Sequence, residues 1–459
     1  MINDTIGAIS TAKGKGGVAV IRISGQEALE IIERVFVLPS GKTLENPEPR
    51  KCYYGKILRD GKEIDDVVLT FFKAPASYTG EDVCEISCHG GLYVTQAVLE
   101  AVLSAGARMA QAGEFTRRAY INGKLTLTRA EAVGQVIDAT NDAQLRLSVN
   151  ARRGALSDKL DKIRGSLLEL LARAYVIVDY PDEELPDLER NQMADSVESI
   201  FGSLVSLKRT YRASKAVIEG IKTAIVGRPN AGKSSLYNAI SGEDLAIVTD
   251  IAGTTRDVIE HTVSVGDVTL RLSDTAGIRD TEDAVEKIGV ERARARLDES
   301  ELVLAVFDGS VKENAEDAQI LESVSQKSAI AIINKSDTER KMSLEFEEKI
   351  KNTVPRVVYM SARSGDGLDK LAKELGEMYA LDEIDISNDA VITNARQASA
   401  LTIALEKVEE AKSRLNIGES PDIVCFSLEE ALASLDEIDA RGVSETVVNT
   451  IFSRFCVGK

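Results

Sequence analysis

Residues 221–240 read IKTAIVGRPNAGKSSLYNAI, an apolar strand pattern that leads into a glycine-rich loop and then into a helical pattern. The loop, residues 227–234, has the spacing G-x-x-x-x-G-K-S, whose glycines let backbone N–H groups turn toward a phosphate at a helix N-terminus. Lys233 supplies a cation, and Ser234 supplies a hydroxyl for Mg²⁺. This stretch predicts a phosphate-binding loop for a nucleoside triphosphate.

A second motif, DTAG at residues 274–277, follows the apolar strand pattern TLRLS. Asp274 fits an aspartate on the Mg²⁺ side of the nucleotide, and the N–H of Gly277 can meet the γ-phosphate. Both follow the carboxyl end of the predicted strand. The pattern therefore favours a nucleotide-hydrolysing site.

Two later loops fit a nucleotide base. The strand pattern AIAII leads to NKSD at residues 334–337, and Asp337 can accept hydrogen bonds from the N1–H and the exocyclic amine of guanine. The strand pattern RVVYM leads to residues 361–363, whose backbone would support the base. Four motifs, each at the carboxyl end of a strand, predict a doubly wound α/β domain that binds GTP.

The composition indicates a soluble, cytoplasmic protein. No apolar run is long enough to span a membrane, and the first residues lack a secretory signal pattern, so we expect no membrane contact. The five cysteines are odd in number and scattered, which favours a reducing cytoplasm over a disulfide framework. The net charge of −18 argues against a uniformly basic nucleic-acid binder but leaves local basic patches open.

The strand and helix patterns change along the chain, and the length suggests about three domains. Short strands alternate with two helical stretches near 26–36 and 91–105, which predicts a small α+β domain at the start. We predict an α+β domain, a first helical part, the P-loop GTPase domain and a second helical part, at residues 1–118, 119–219, 220–379 and 380–459. The GTPase domain is then an insertion in a helical domain.

Motifs outside the nucleotide loops are more specific for one protein family than the nucleotide motifs are. The chain contains GGVAVIRISG, TGEDVCEISCHGG, GEFTRRAYINGKL at 113–125, TDIAGTTRD at 249–257 and a terminal FCVGK. Together with GRPNAGKSS, DTAG and NKSD, these resemble the MnmE/TrmE family of tRNA-modification GTPases over essentially the whole chain. The resemblance implies a folate-binding N-terminal domain, a discontinuous helical domain and an inserted Ras-like GTPase domain.

The resemblance also implies an activity and its partners. Such a homodimer works with an FAD-dependent partner, MnmG/GidA, as a heterotetramer that adds a carboxymethylaminomethyl-type group at C5 of the wobble uridine (U34) of tRNA. The implied cofactors are GTP, Mg²⁺, K⁺ and a one-carbon derivative of tetrahydrofolate, either 5-formyl or 5,10-methylene.

Hydrolysis needs a group that orients water. Ras-type GTPases use a glutamine directly after the DxxG glycine, but this chain has Ile278, which cannot do so. The residues leave Glu282, Asp283 and Glu286 as candidates, and the resemblance selects Glu286. Glu286, Lys233 and Asp274 are therefore the predicted catalytic residues.

The resemblance supplies a cation in place of an arginine finger, because K⁺ beside the phosphates can neutralise developing charge. The implied K⁺ ligands are Asn230, Thr249, Ile251 and Thr254, and the implied Mg²⁺ ligands are Ser234 and Thr255. An isolated Asn230 would otherwise be interpreted as a turn former. The predicted GTP contacts are Asn230, Ala231, Gly232, Lys233, Ser234, Ser235, Thr249, Asp250, Ile251, Ala252, Gly253, Thr254, Thr255, Asp274, Thr275, Ala276, Gly277, Asn334, Lys335, Asp337, Ser361, Ala362 and Arg363.

Two charges fall on apolar strand faces of the N-terminal segment. Alternation places Arg22 with Val18 and Val20, and Glu85 with Val83, so each charge needs a partner. A salt bridge is one interpretation. The resemblance implies the other, in which folate is bound by Arg22, Glu85, Lys124 and Lys459.

The cysteines prompt two further interpretations. Cys84, Cys88 and His89 are too few ligands for a zinc site, so we expect the cysteines to line an apolar strand face. The resemblance places the thiol of Cys456 near the chemistry. A ribosome-assembly GTPase that binds rRNA, or a signalling switch, would share the nucleotide motifs but not the N-terminal motifs or FCVGK.

Overall fold

The computed structural model describes residues 4–179, 187–242, 260–273, 297–439, 441, 445–453 and 455–458. They form two compact units, of which one draws on Met1–Gly134 and Glu429–Lys459 and the other on Gln135–Leu428. The segment boundaries predicted from sequence stay predictions. No helix in these ranges is long and apolar enough to cross a bilayer.

The two predicted helical stretches of the N-terminal segment are confirmed as α1 Ala28–Val35 and α2 Leu92–Ser104. The strands are β1 Ile6–Ile9, β2 Val18–Ser24, β3 Phe36–Val37, β4 Cys52–Arg59, β5 Lys62–Phe72, β6 Val83–His89, β7 Arg108–Met109, β8 Ile221–Val226, β9 Glu260–Val265, β10 Val268–Ser273, β11 Leu302–Asp308, β12 Ala329–Asn334 and β13 Val357–Tyr359. The helices are α1 Ala28–Val35, α2 Leu92–Ser104, α3 Glu114–Ile121, α4 Leu127–Asp138, α5 Asp142–Arg153, α6 Ala155–Asp179, α7 Asp187–Ile218, α8 Lys233–Ser241, α9 Ala315–Val324, α10 Leu344–Thr353, α11 Leu368–Met378, α12 Ala395–Ile417, α13 Pro421–Ile438 and α14 Glu445–Phe452.

The first unit is built on a sheet in the order β3-β4-β5-β6-β2-β1-β7. Every described pairing in it is antiparallel except β1 with β7. Alternation along β2 buries Ile21 and Ile23 in a core that also takes residues from α1 and α2. Since successive strand residues face opposite sides, Arg22 lies on the other, partly exposed face.

The second unit holds a sheet in the order β13-β12-β11-β8-β10-β9. Its strands pair in parallel except for β9, which runs antiparallel to β10. Alternation along β11 places Leu304 and Val306 in one apolar cluster, and Ala305 and Phe307 in another. Both faces of this strand are therefore covered, which explains its unbroken apolar sequence. The predicted doubly wound α/β domain is confirmed.

Helix α12 follows this sheet in the chain and packs against α7, which precedes the sheet. Lys412 forms a salt bridge with Glu198, and its ammonium lies 4.9 Å from the ring centre of Phe201. Just before α12, the backbone N–H of Ile392 donates to Thr210 Oγ1 at 3.1 Å. The nucleotide motifs therefore occupy an insertion between helices that pack on each other.

Helix α5 is bonded to the β9–β10 hairpin of the same unit. Asn141 caps this helix by accepting a hydrogen bond from Gln144 N, and it donates to Ser264 Oγ at 2.8 Å. Gln144 Nε2 donates to Thr269 Oγ1 at 3.1 Å. The hairpin that leads to Asp274 is thereby tied to the helical part of the unit.

Candidate functional site

The phosphate-binding loop joins β8 to α8 and depends on close backbone approach. Gly232 is the N-cap of α8, with φ 101° and no side-chain cap. A Cβ on Gly232 would lie 2.0 Å from Asn334 Nδ2, and one on Gly227 would lie 2.6 Å from the carbonyl oxygen of Val306. Only glycine fits both positions, and the loop leads directly into the N-terminus of α8, a kind of helix end that favours anions.

The polar side chains predicted for this loop are either bonded to the loop itself or exposed to solvent. Lys233 Nζ donates to the carbonyl oxygens of Gly227 and Arg228, both at 2.9 Å. Ser234 and Asn230 are exposed, and Asn230 has φ 62°. The left-handed backbone suits the turn-forming interpretation of Asn230 and leaves its side chain open to solvent, where it is available to a cation.

Asn334, at the end of β12, links two loops of the site. It is 2% exposed, its Nδ2 donates to the carbonyl oxygen of Ala231 at 2.9 Å, and its Oδ1 accepts from the N–H of Ala362 at 2.9 Å. Both ends of the amide are bonded to protein groups. Asn334 therefore holds the phosphate-binding loop against the 361–363 loop instead of projecting toward solvent.

The remaining residues of the base site differ in exposure. Asp337 and Arg363 are exposed, and Ser361 is buried. Lys335 has φ 63°, and its Nζ lies 2.7 Å from Asp308 Oδ2 at the end of β11. Sequence reasoning missed Asp308, because a lone aspartate at a strand end carries no motif.

Several predicted residues lie outside the described ranges. They are Thr249, Asp250, Ile251, Ala252, Gly253, Thr254, Thr255, Asp274, Thr275, Ala276, Gly277, Glu286 and Lys459.

In the first unit, Arg22 and Glu85 are direct cross-strand partners on β2 and β6. Arg22 Nε and Nη2 each lie 2.8 Å from Glu85 Oε1. The guanidinium carbon lies 5.4 Å from the ring centre of Tyr78 and 5.6 Å from that of Phe115. The salt-bridge interpretation is therefore realised, and two aromatic rings that sequence reasoning missed flank the cation.

The C-terminal tail reaches the Arg22–Glu85 pair. The carbonyl oxygen of Gly458 accepts from Ser10 Oγ at 3.0 Å and from Arg22 Nη1 at 3.5 Å. Val457 forms a β-bridge with Ala112. The tail thus runs along the N-terminal sheet unit up to the predicted folate residues, and the Cys456 thiol beside it is exposed.

Lys124 contacts the loop between β5 and β6, which also carries Tyr78. Its Nζ donates to the carbonyl oxygen of Pro75 at 2.9 Å, and a Cβ on Gly80 would lie 3.4 Å from Lys124 Cγ. The same loop is bonded to β2, because the hydroxyls of Thr79 and Ser24 lie 2.7 Å apart. One loop therefore contacts both Arg22 and Lys124, two of the predicted cations of the folate site.

A buried charge network supports this loop and explains the motif GEFTRR. Arg118 is 1% exposed and donates to Asp4 Oδ1 at 2.7 Å, to Glu81 Oε2 at 3.2 Å and to Glu114 Oε1 at 3.1 Å. The hydrogen bond from Arg108 holds the pKa of Asp4 below its usual value. Burial raises the pKa of Glu114, but the hydrogen bonds it accepts, first from Arg108, outweigh burial and lower it.

The cysteines of β6 behave as apolar residues. Cys84 and Cys88 are buried, as predicted, and burial raises the pKa of Cys88 to about 11. His89 is exposed and bonded to Asp65, which raises its pKa. Among the described residues, no group of three or more His, Cys, Asp or Glu side chains is arranged to hold a metal ion.

Comparison with known proteins gives full-length matches. A family model described as the GTP-binding protein TrmE N-terminus matches residues 5–124, and one described as the MnmE helical domain matches residues 127–456. The protein named tRNA modification GTPase MnmE from Clostridioides difficile is 40% identical over 460 residues, covering 100% of both chains. Its namesake from Carboxydothermus hydrogenoformans is 39% identical over 462 residues, with the same coverage. This chain therefore belongs to the MnmE family of tRNA modification GTPases.

Proposed function

We propose that this protein hydrolyses GTP during modification of the wobble uridine of tRNA. The observation that carries the proposal is the match over the whole length to relatives named tRNA modification GTPase. That match includes the nucleotide unit and also the N-terminal unit, which a GTPase switch alone does not need. The loop geometry around Gly232 and Asn334 supports nucleotide binding independently of the relatives.

The nucleotide site is proposed to work through backbone groups and a few side chains. The N–H groups at the start of α8 bind the β-phosphate, and Lys233 turns from its carbonyl partners toward the phosphates. Ser234 and Thr255 would hold Mg²⁺, which supplies charge neutralisation of the leaving diphosphate. Glu286 orients the attacking water, and Asp337 accepts from the guanine ring.

Potassium is proposed as a second charge-neutralising ion. Asn230 would contribute its side-chain oxygen, and Thr249, Ile251 and Thr254 would contribute backbone oxygens. The exposed side chain of Asn230, on the rim of the phosphate-binding loop, supports this assignment. A cation at that place would stabilise charge that develops on the phosphate oxygens.

A tetrahydrofolate derivative, 5-formyl or 5,10-methylene, is proposed as the one-carbon source, bound by the N-terminal unit. Arg22 and Lys124 would bind its carboxylates, Glu85 would accept from its pterin ring, and Lys459 would complete the site. These residues fit a folate ligand in part. Arg22 and Glu85 bond to each other, so the ligand must share or replace that salt bridge. The rings of Tyr78 and Phe115 beside Arg22 favour a flat aromatic ligand.

The proposed assembly is a cytoplasmic homodimer that joins an FAD-dependent MnmG/GidA partner as a heterotetramer and acts on tRNA. Exposed apolar side chains on the outer face of the first sheet support self-association. Tyr54 is 56% exposed and lies opposite the exposed Val68 on the neighbouring strand, and Val18, on β2, is 64% exposed. Exposed apolar side chains on a sheet face are suited to pairing with a second copy.

The activity can be tested by mass analysis of tRNA nucleosides. Cells that lack this protein should lose the carboxymethylaminomethyl-type group at C5 of U34, because the proposed reaction needs this GTPase. Expression of the wild-type chain should restore it, and the Glu286→Ala chain should not. Unchanged wobble uridines in the deletion strain would contradict the proposal and favour a ribosome-assembly role.

Potassium dependence gives a second prediction. GTP hydrolysis by the wild-type chain should be at least about tenfold faster in KCl than in NaCl at equal ionic strength. Asn230→Ala should remove the difference, since it removes one ligand oxygen without touching Lys233 or Ser234. Asn238→Ala is a matched control, because Asn238 is also an exposed asparagine and lies further along the chain, in helix α8. A wild-type rate indifferent to the cation would contradict the assignment.

A further inference from the structure

Asp308 ends the central strand β11 and is 5% exposed. Its Oδ2 lies 2.7 Å from Lys335 Nζ. Its Oδ1 accepts from the backbone N–H and the hydroxyl of Ser310, at 2.9 and 2.6 Å. Both carboxylate oxygens are thus bonded. The two hydrogen bonds from Ser310 orient the carboxylate independently of Lys335.

The backbone of Lys335 is also held in place, by hydrogen bonds to neighbouring residues. Its φ of 63° lies in the left-handed region, which is unfavourable for a non-glycine residue. The carbonyl oxygen of Lys335 accepts from Thr338 N and Oγ1 at 3.1 and 2.8 Å, and the next residue, Ser336, donates to the carbonyl oxygen of Met360 at 3.1 Å. A strained conformation persists only where its surroundings enforce it.

The side chain of Lys335 therefore spans two fixed points, its own Cα and the carboxylate of Asp308. The side chain is 36% exposed, so protein groups cover it only in part. An apolar stem held in this way offers a flat surface to a ring, while its charge is already satisfied elsewhere. The NKSD motif that contains Lys335 also contains the loop-linking Asn334 and the proposed guanine-reading Asp337.

We propose that Asp308 is a positioning residue of the base site, which anchors Lys335 Nζ so that the lysine stem forms a wall against which a purine ring stacks. The proposal rests on the proposed binding of GTP and names a residue that acts through Lys335 without touching the nucleotide. Because Lys335 is already paired, its charge is not drawn toward the phosphates.

The charge state of Asp308 agrees with this arrangement. Burial by itself raises the pKa of Asp308, but the hydrogen bonds from Lys335 and Ser310 outweigh burial and hold the pKa below its usual value. The carboxyl group is therefore ionised at neutral pH, and the contact to Lys335 is a charge-assisted hydrogen bond.

The test measures the dissociation constant of mant-GDP by fluorescence with the full-length chain. Asp308→Ala should raise this constant about tenfold, because the freed lysine stem must then be ordered when the base binds. The value of kcat at saturating GTP should stay within about twofold, because the phosphate-binding loop is unchanged. Asp308→Asn keeps the shape and one acceptor oxygen and should raise the dissociation constant less than Asp308→Ala does. An unchanged constant in Asp308→Ala overturns the proposal.

A double-mutant cycle separates positioning from general damage to the fold. If Asp308 acts through Lys335, then Asp308→Ala should add no further loss in a Lys335→Met background. Additive losses overturn the proposal. Glu313→Gln is the matched control, because Glu313 also accepts two hydrogen bonds from a neighbouring segment, from Ser343 N and Oγ, but does not contact Lys335. Its dissociation constant for mant-GDP should equal that of the wild type.

Competition with inosine diphosphate separates the roles of Lys335 and Asp337. Inosine lacks the exocyclic amine that Asp337 is proposed to accept from, but it presents the same ring faces. Asp308→Ala should therefore weaken GDP and inosine diphosphate by the same factor, and a changed ratio overturns the stacking role. A wild-type chain that binds no mant-GDP overturns the proposed function and this inference together, whereas normal binding with Asp308→Ala unchanged overturns the inference alone.

Discussion

Gly232→Ala should raise the dissociation constants of GDP and GTP by about a hundredfold. The new Cβ would lie 2.0 Å from Asn334 Nδ2, and the residue would keep φ 101°, which an alanine rarely adopts. Relief of the steric clash or of the strained φ moves the loop away from Asn334. This movement breaks the hydrogen bond from Asn334 to Ala231. The cost combines roughly 1–3 kcal/mol of backbone strain with about 1 kcal/mol for that bond.

The measurement is a fluorescence titration of the wild type and the variant with mant-GDP, with thermal melting as the check on folding. Gly202→Ala is the matched control, because Gly202 lies in helix α7 of the same unit and an added Cβ there would have no neighbouring atom within 4 Å. That control should bind like the wild type and melt at the same or a higher temperature, since alanine favours a helix. Normal binding by a folded Gly232→Ala chain would contradict the loop geometry.

The second prediction concerns the C-terminal tail. Deletion of residues 457–459 should abolish tRNA modification and weaken binding of 5-formyltetrahydrofolate at least about tenfold, while GTP hydrolysis changes little. The deletion removes the carbonyl oxygen that Arg22 and Ser10 bond to, along with Lys459. Hydrolysis should persist because the phosphate-binding loop closes on its own residues in the other unit.

Gly458→Ala tests the same tail with a single added methyl group. Gly458 has φ 96°, and a Cβ would lie 2.2 Å from the carbonyl oxygen of Ile9, so alanine should expel the tail. Gly61→Ala is its control, because Gly61 also has positive φ, 74°, but has no atom within 4 Å of the added Cβ. Calorimetric titration with 5-formyltetrahydrofolate gives the result, and undiminished affinity in both tail variants would refute the folate assignment.

Short-range sequence patterns predicted the strands and the helix that carry the nucleotide motifs. The order of strand, glycine-rich loop and helix around residues 221–240 predicted β8 and α8, and the strand patterns before the other three motifs predicted β10, β12 and β13. Alternation along β2 predicted that Arg22 shares a strand face with Val18 and Val20 and left two interpretations of its charge, but it did not show that this face is partly exposed. These features depend on residues that are close in sequence, where periodicity is informative.

Contacts between distant segments could not be predicted in the same way. Lys335 and Asp308 are 27 positions apart and meet only because β11 and β12 are neighbours in the sheet. Asn334 was expected at the nucleotide, but its amide is bonded to two loops that only the folded sheet brings together. The buried position of Arg118 could not be predicted either, since two of its partners, Asp4 and Glu81, come from distant segments.

The order of synthesis sets the order in which the two units can mature. The apolar cluster of Leu127 and Ala130 is completed by Val448 and Phe452, so it stays open while the intervening residues are translated. At ribosomal speeds this delay is on the order of tens of seconds. The contiguous unit Gln135–Leu428 can fold during that time. A chain cut short by premature termination near its end would therefore carry a finished nucleotide unit beside an N-terminal unit with an exposed apolar surface, prone to aggregate.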